Sequence, residues 1–188
     1  RRSSDLMQTV EQIDAFMKEH AAEKVITELD WEEHYEEVED RENWIAGAGG
    51  LGSNVALNLV RSGIDAFRIV DFDCVEASNL NRQFYFATIG RPKVEALPEN
   101  LQRIRPEVEI DAIVARIDAT NCWTLFGDCD LVVEAFDKAA AKKMLMEGLA
   151  GDQRLVSASG VAGGSLDGIH WRQVGRAHIV GDFVSDCA

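Results

Sequence analysis

Gly47, Gly49, Gly50 and Gly52 fall within six residues, between a short apolar run (WIA) and an amphipathic stretch beginning at Leu51. Glycines so placed let the chain turn tightly, bring backbone N–H groups close to a phosphate and pack a helix against a sheet. The N-terminus of that helix adds partial positive charge that favours an anion. Asp71 closes the next apolar run, 24 residues beyond Gly47, where a carboxylate would meet ribose hydroxyls. These features predict a nucleotide site without naming the nucleotide. A loop of this kind most often serves NAD or FAD, and a Gly-rich turn with no ligand is the plain alternative.

The residues downstream separate the options. Between Asp73 and Lys93 the chain reads DCVEASNLNRQFYFATIGRPK. A dehydrogenase has no evident need for Asn79, Arg82, Gln83 and Lys93 straight after its ribose-binding strand. A triphosphate site does, because Arg offers a rigid fork to phosphate oxygens and Lys a mobile point charge. Asn79 could hydrogen-bond phosphate or a metal-bound water. Lys93 follows Pro92 at an expected helix start, which aims it at the strand ends, where open α/β sheets bind ligands. Taken singly, Arg82 and Lys93 would pass for surface charges. Their clustering after the glycine loop points to phosphate.

The elements that must hold these residues alternate. WIAG, FRIVDFD, VEIDAIVA, DLVVEAF and RLVSASG read as strands, and IHWRQVG and AHIVG as two short late strands. Between them, Leu51–Ser62, Lys93–Arg103, Thr120–Phe126 and Ala139–Ala150 read as helices. This order predicts an α/β, Rossmann-like, mainly parallel sheet with helices on both faces and short antiparallel strands at the end. Residues 1–42 are expected to form an acidic helical appendage, with 5 Lys+Arg against 14 Asp+Glu. Leu6, Val10, Ile13, Phe16 and Met17 stand there at helical spacing behind a Ser4 cap. Residues 43–188 form the main domain. The acidic WEEHYEEVEDRE reads as a solvated helix face or a docking surface for a basic partner.

Composition narrows the function. The 188 residues carry a net charge of -14, which disfavours a large surface for phosphate backbones, so nucleic acid is not an expected partner. No apolar run approaches the roughly 20 residues of a membrane span, and RRSSDLMQTVEQ has no signal-peptide core, so the cytoplasm is the expected compartment. The four cysteines form no Cys-x-x-Cys pair, and His20, His34, His170 and His178 show no metal-ligand or catalytic spacing.

Five segments in order, GAGGLGSN, DFD, SNLNRQ, GRPKVEA and VVEAFDK, resemble the ubiquitin-activating (E1-like) adenylyltransferases of the ThiF/MoeB kind, and most of all the zinc-free ThiF branch. The likeness runs from about Trp44 to Asp182. It implies an enzyme that binds ATP and Mg2+ and adenylylates the C-terminal Gly-Gly carboxylate of a ubiquitin-like sulfur carrier, ThiS-like and serving thiamine thiazole synthesis. A MoeB-like enzyme of molybdopterin synthesis, or one activating a tRNA base, is the neighbouring alternative. An NAD-dependent oxidoreductase is the alternative of another class, and it leaves Arg82, Lys93 and Asp137 without a role.

Carried over residue by residue, the resemblance makes Gly47, Gly49, Gly50 and Gly52 the phosphate cradle, and gives Asp71 and Asp73 the ribose and its surroundings. It sets Asn79, Arg82 and Gln83 on the phosphates and Lys93 between ribose and α-phosphate. Asp137 becomes the Mg2+ ligand, so Arg82, Lys93 and Asp137 are the expected catalytic residues. Read simply as residues, Asp137 and Asp73 would be turn or cap residues, and Ser53 or Asn54 would cap the glycine-loop helix. Several departures accompany the likeness. No zinc is expected. Cys187 has no secure counterpart among sulfur-handling cysteines, and Cys74 is expected to pack beside its strand. Arg2 and Arg41 are weak candidates for an arginine supplied from an N-terminal segment. A homodimer is expected, and the stop at Ala188 suggests a shortened C-terminal end.

Overall fold

The computed structural model describes residues 43–149, 153–160 and 168–184. The expected N-terminal helix, Arg2, Arg41 and Cys187 lie outside them. In chain order the elements are β1 (Asn43–Ala46), α1 (Gly50–Arg61), β2 (Ala66–Asp71), a 3-10 turn (Ala77–Asn79), α2 (Lys93–Gln102) and β3 (Glu109–Val114). There follow α3 (Cys122–Phe126), β4 (Leu131–Glu134), α4 (Ala139–Gly148), β5 (Arg154–Ala158), β6 (His170–Val174) and β7 (Ala177–Gly181). The strands make one sheet in the order β3-β2-β1-β4-β5-β7-β6, and among them only β6 runs antiparallel to its neighbour.

A central strand covered on both faces has no polar side, and β1 is buried at all four residues. Ile45 points into one cluster, with Ala56 and Val60 of α1 and Leu97 and Leu101 of α2. Trp44 and Ala46 point into the other, with Phe126 of α3 and Leu145 of α4. Full burial of a large apolar side chain contributes about 1.5–3 kcal/mol, so these two layers hold the helices to the sheet. Arg68 belongs to the same architecture. Its guanidinium lies 3.6 Å over the Trp44 ring and its Nε donates to Asp111 on β3, so the stem covers apolar surface while the charge finds a partner.

The late strands pair less simply than their sequence suggests. Of the two late strands expected to be antiparallel, β6 does run antiparallel to β7, but β7 inserts beside β5 and extends the parallel run, leaving β6 at the edge. Strand order reverses between β1 and β4, because the chain first builds outward from β1 through β2 to β3 and then returns. The crevice beyond the C-terminal ends of β1 and β4 is where such sheets take ligands. Among the described residues, no helix is long and apolar enough to cross a membrane.

Candidate functional site

The glycine loop leaves β1 at this switch point. Gly47 has φ +106°, a left-handed value that a side chain would strain, and its N–H donates to the Val70 carbonyl at 2.8 Å. A Cβ on Gly52 would overlap the Gly47 carbonyl oxygen, so α1 sits directly on the loop that precedes it. Gly49 is the N-cap of α1 and offers no side-chain cap to the first-turn N–H groups. Neither Ser53 nor Asn54 takes that role. Ser53 Oγ donates back to the Gly49 carbonyl and accepts the Phe84 N–H, while Asn54 Nδ2 reaches the carbonyls of Gly50 and Arg82. The donors at the head of α1 are thus left for an anion, as its partial positive charge favours.

Two glycines of the loop differ in what a methyl group would meet. At Gly52 the overlap forces α1 away from the loop, and overpacking of this kind costs about 1–3 kcal/mol. At Gly49 nothing lies within 4 Å. Gly52→Ala is therefore expected to lower the melting temperature and abolish nucleotide binding. Gly49→Ala is expected to keep the melting temperature while weakening ATP about ten-fold, because its Cβ would stand in the open space through which a phosphate approaches the backbone and so weaken a charge-assisted hydrogen bond there. Thermal melts and titration calorimetry on both variants check this, and equal melting temperatures for the two would contradict it.

Asp71 is buried, and both of its oxygens are engaged by backbone donors. Oδ2 accepts the Ala48 N–H at 2.6 Å and Oδ1 accepts the Asp73 N–H at 2.8 Å. It ties the end of β2 to the glycine loop, and each oxygen keeps a second lone pair for a ribose hydroxyl. Asp73 is exposed and its Oδ2 lies 3.2 Å from Lys93 Nζ, while the Lys93 N–H donates to the Asp73 carbonyl. Lys93 opens α2 with Pro92 as N-cap, and its side chain is only 7% exposed. An ammonium held that far from bulk water acts on nearby charge more strongly than a surface lysine does.

Asn79, Arg82 and Gln83 come together in the turn that follows. Asn79 is buried and builds that turn: its Oδ1 accepts the Glu76 N–H, and its carbonyl accepts from Arg82 and Gln83. Arg82 is exposed, donates to the Ser78 carbonyl and the Asn81 side chain, and passes about 4.0 Å from where a Gly50 Cβ would stand. Its guanidinium is thereby held beside the head of α1. Gln83 is buried with an Oε1 that has no partner among the described residues, an acceptor of the kind a ligand hydroxyl or water satisfies. Cys74, expected to pack against its strand, is exposed instead, because the backbone there leaves β2 and pairs with Pro92.

Asp137 lies on the other side of the switch point, in the loop between β4 and α4. It is exposed, caps nothing (Lys138 is the N-cap of α4), and makes no hydrogen bond or ion pair among the described residues. The loop carrying it is fixed from below by Glu134, which is fully buried. Glu134 Oε1 accepts the Phe136 N–H at 2.6 Å, Lys142 Nζ donates to both oxygens at 3.0 and 2.9 Å, and Ser157 Oγ donates to Oε2. Glu134 is not among the residues expected at the site from the sequence. The signal was there, as a lone acid inside the apolar run LVVEAF with Lys142 eight residues on.

Among the described residues, no group of three or more His, Cys, Asp or Glu side chains could hold a metal ion by itself. A single unengaged carboxylate fits Mg2+, which takes one or two carboxylates and completes its shell with phosphate oxygens and water.

The model of the ThiF family matches residues 21–166. The chain belongs to the ThiF family. It is similar to the molybdopterin-synthase adenylyltransferase of Escherichia coli (strain K12), 36% identical over 115 residues that make up 60% of this chain and 46% of that protein. It is also similar to the sulfur carrier protein adenylyltransferase of Thermus thermophilus, 38% identical over 95 residues, 50% of this chain and 35% of the relative. The chain thus spans less than half the length of these curated relatives. Among solved structures, the fold superposes on Escherichia coli tRNA N6-threonylcarbamoyladenosine dehydratase, TcdA, in complex with AMP. The TM-score is 0.65 at 28% identity, over 74% of this chain and 59% of that one.

Proposed function

We propose that this chain is an ATP-dependent adenylyltransferase acting on the C-terminal Gly-Gly carboxylate of a ubiquitin-like sulfur carrier, ThiS-like and serving thiamine thiazole synthesis. One observation carries the reading. An uncapped glycine loop leaves β1 at the switch point of the sheet, a buried ammonium, Lys93, opens the helix that follows β2 on one side, and Asp137, a carboxylate unengaged among the described residues, lies in the loop after β4 on the other. A dinucleotide site has use for the loop and for Asp71, and none for the other two.

The chemistry asks little more of the protein. The carrier carboxylate oxygen attacks the α-phosphorus of ATP, a new P–O bond forms, and the bond to the bridging oxygen breaks to release pyrophosphate. The attacking group is already an anion, so no general base is required. The protein aligns carboxylate with phosphorus and offsets charge that shifts onto the leaving group. In this reading the α1 N–H groups and Arg82 bind the phosphates, Lys93 reaches the α-phosphate and ribose, and Asn79 and Gln83 hold the intervening turn against them. Mg2+, when bound, would rest on Asp137 and supply positive charge to the phosphate oxygens. A homodimer and a role for residues 1–42 in docking belong to the same proposal.

A tRNA-directed activity is the second reading, favoured by the likeness to the tRNA-modifying dehydratase. The net charge of -14 argues against it, since a tRNA backbone calls for a basic surface. The test is intact mass spectrometry of a ThiS-like carrier after incubation with the chain and Mg–ATP, with a parallel reaction on tRNA. An AMP-sized increment on the carrier supports the first reading. ATP turnover that requires tRNA and ignores every Gly-Gly carrier transfers support to the second.

A further inference from the structure

Ala48, in the middle of the glycine loop, is gripped on both main-chain sides by side chains from far along the chain. Its N–H donates to Asp71 Oδ2 at 2.6 Å, and its carbonyl accepts from Tyr85 Oη at 2.7 Å. Among the described residues there is no cis peptide bond. Each peptide unit is therefore a flat trans plate whose C=O and N–H point in opposite directions. With the Ala48 N–H turned to Asp71, the Gly47 carbonyl must face the other way, and it does, onto Gly52. By the same rule, an Ala48 carbonyl turned to Tyr85 directs the Gly49 N–H away from the core. The backbone is uncrowded at this residue, since a Cβ on Gly49 would meet nothing within 4 Å, and no described residue accepts the Gly49 N–H.

We propose that Tyr85 is a positioning residue whose hydroxyl, by holding the Ala48 carbonyl, aims the Gly49 N–H at a phosphate of the bound nucleotide. This rests on the ATP site proposed above and adds to it a residue outside the glycine and Arg-Gln motifs. The plate between Ala48 and Gly49 is able to turn over, because glycine accepts both signs of φ. Turned over, it would present a carbonyl dipole to the phosphate and repel it. Tyr85 is 1% exposed, so its side chain has no competing water to bond. Burial, and then the nearby Asp71 charge, push its phenol well above the ordinary tyrosine range, which keeps the proton that the bond requires.

The test compares wild type and Tyr85→Phe for ATP and for adenosine by titration calorimetry, with melting temperatures measured alongside. Tyr85→Phe is expected to weaken ATP about ten-fold and to leave adenosine within about two-fold, since only the phosphate contact is lost. Equal weakening of both ligands, or ATP binding unchanged, overturns the proposal. A wild type that binds neither ligand overturns the nucleotide reading itself, which is a different result. Should Tyr85→Phe not fold, the wild-type chain labelled with 15N-glycine is titrated with inorganic tripolyphosphate. The Gly49 amide is expected to move with the anion, and an unmoved Gly49 signal overturns the assignment.

Discussion

Lys93→Ala is expected to slow adenylate formation about 100- to 1000-fold, the range for removing one preorganised donor aimed at developing charge. The melting temperature should barely change. Lys93 is 7% exposed, whereas its partner Asp73 is 52% exposed, so water takes over the Asp73 carboxylate when the ammonium goes. The pair itself therefore adds little stability. Burial of the lysine along the loop has another purpose: it keeps a positive charge where solvent screens it least. Lys93→Arg should not restore the rate, because a planar fork cannot occupy the place of a compact ammonium. Single-turnover adenylation with saturating ATP checks both variants. A loss smaller than ten-fold for Lys93→Ala would remove the lysine from the reaction.

Glu134→Ala is expected to have the opposite signature, a loss of stability first and of activity as a consequence. Glu134 is fully buried and Lys142 only 17% exposed, so the variant leaves a nearly buried ammonium without its counter-charge. It also leaves the Phe136 N–H and the Ser157 hydroxyl without their acceptor. Breaking a buried pair on one side costs about 3–5 kcal/mol, and the residual exposure of Lys142 puts this case near the lower value. For a chain of this size that corresponds to a fall in melting temperature of roughly 6–12 °C. Glu134→Gln, which keeps an acceptor for Phe136, should fall less far. Calorimetric melts of the two variants read this directly. A fall below about 2 °C for Glu134→Ala would mean that the network is not a support of the Asp137 loop.

These two variants mark what could and could not be read from the chain. The strands were legible because a strand covered on both faces must be apolar throughout, as in WIA and LVV. The glycine loop was legible because a left-handed φ at Gly47 and the contact between Gly47 and Gly52 leave no room for other residues at those two positions. Lys93 was legible as the head of a helix after Pro92. The surroundings were harder. Asp71 reads as a ribose carboxylate, yet its two oxygens already hold the backbone of Ala48 and Asp73, a bond pattern that spacing alone does not reveal. Tyr85 sits 37 residues from Ala48, and only the closed fold brings its hydroxyl to that carbonyl. The place of β7 between β5 and β6 escaped for a similar reason, since a hairpin gives no sign of which strand its second arm will join. Cys74 shows the converse. Its position after a strand suggests packing, but the backbone has already turned outward toward Pro92.

If the crevice beyond β1 and β4 activates a carboxylate with ATP, as proposed, the reversal of that reaction is visible as ATP–pyrophosphate exchange. Labelled pyrophosphate should enter ATP only when Mg2+ and a ThiS-like carrier ending in Gly-Gly are both present. The exchange should disappear with Lys93→Ala and with Asp137→Ala. A chain that binds NAD and not ATP, and supports no exchange with any such carrier, would rule out adenylylation at this crevice.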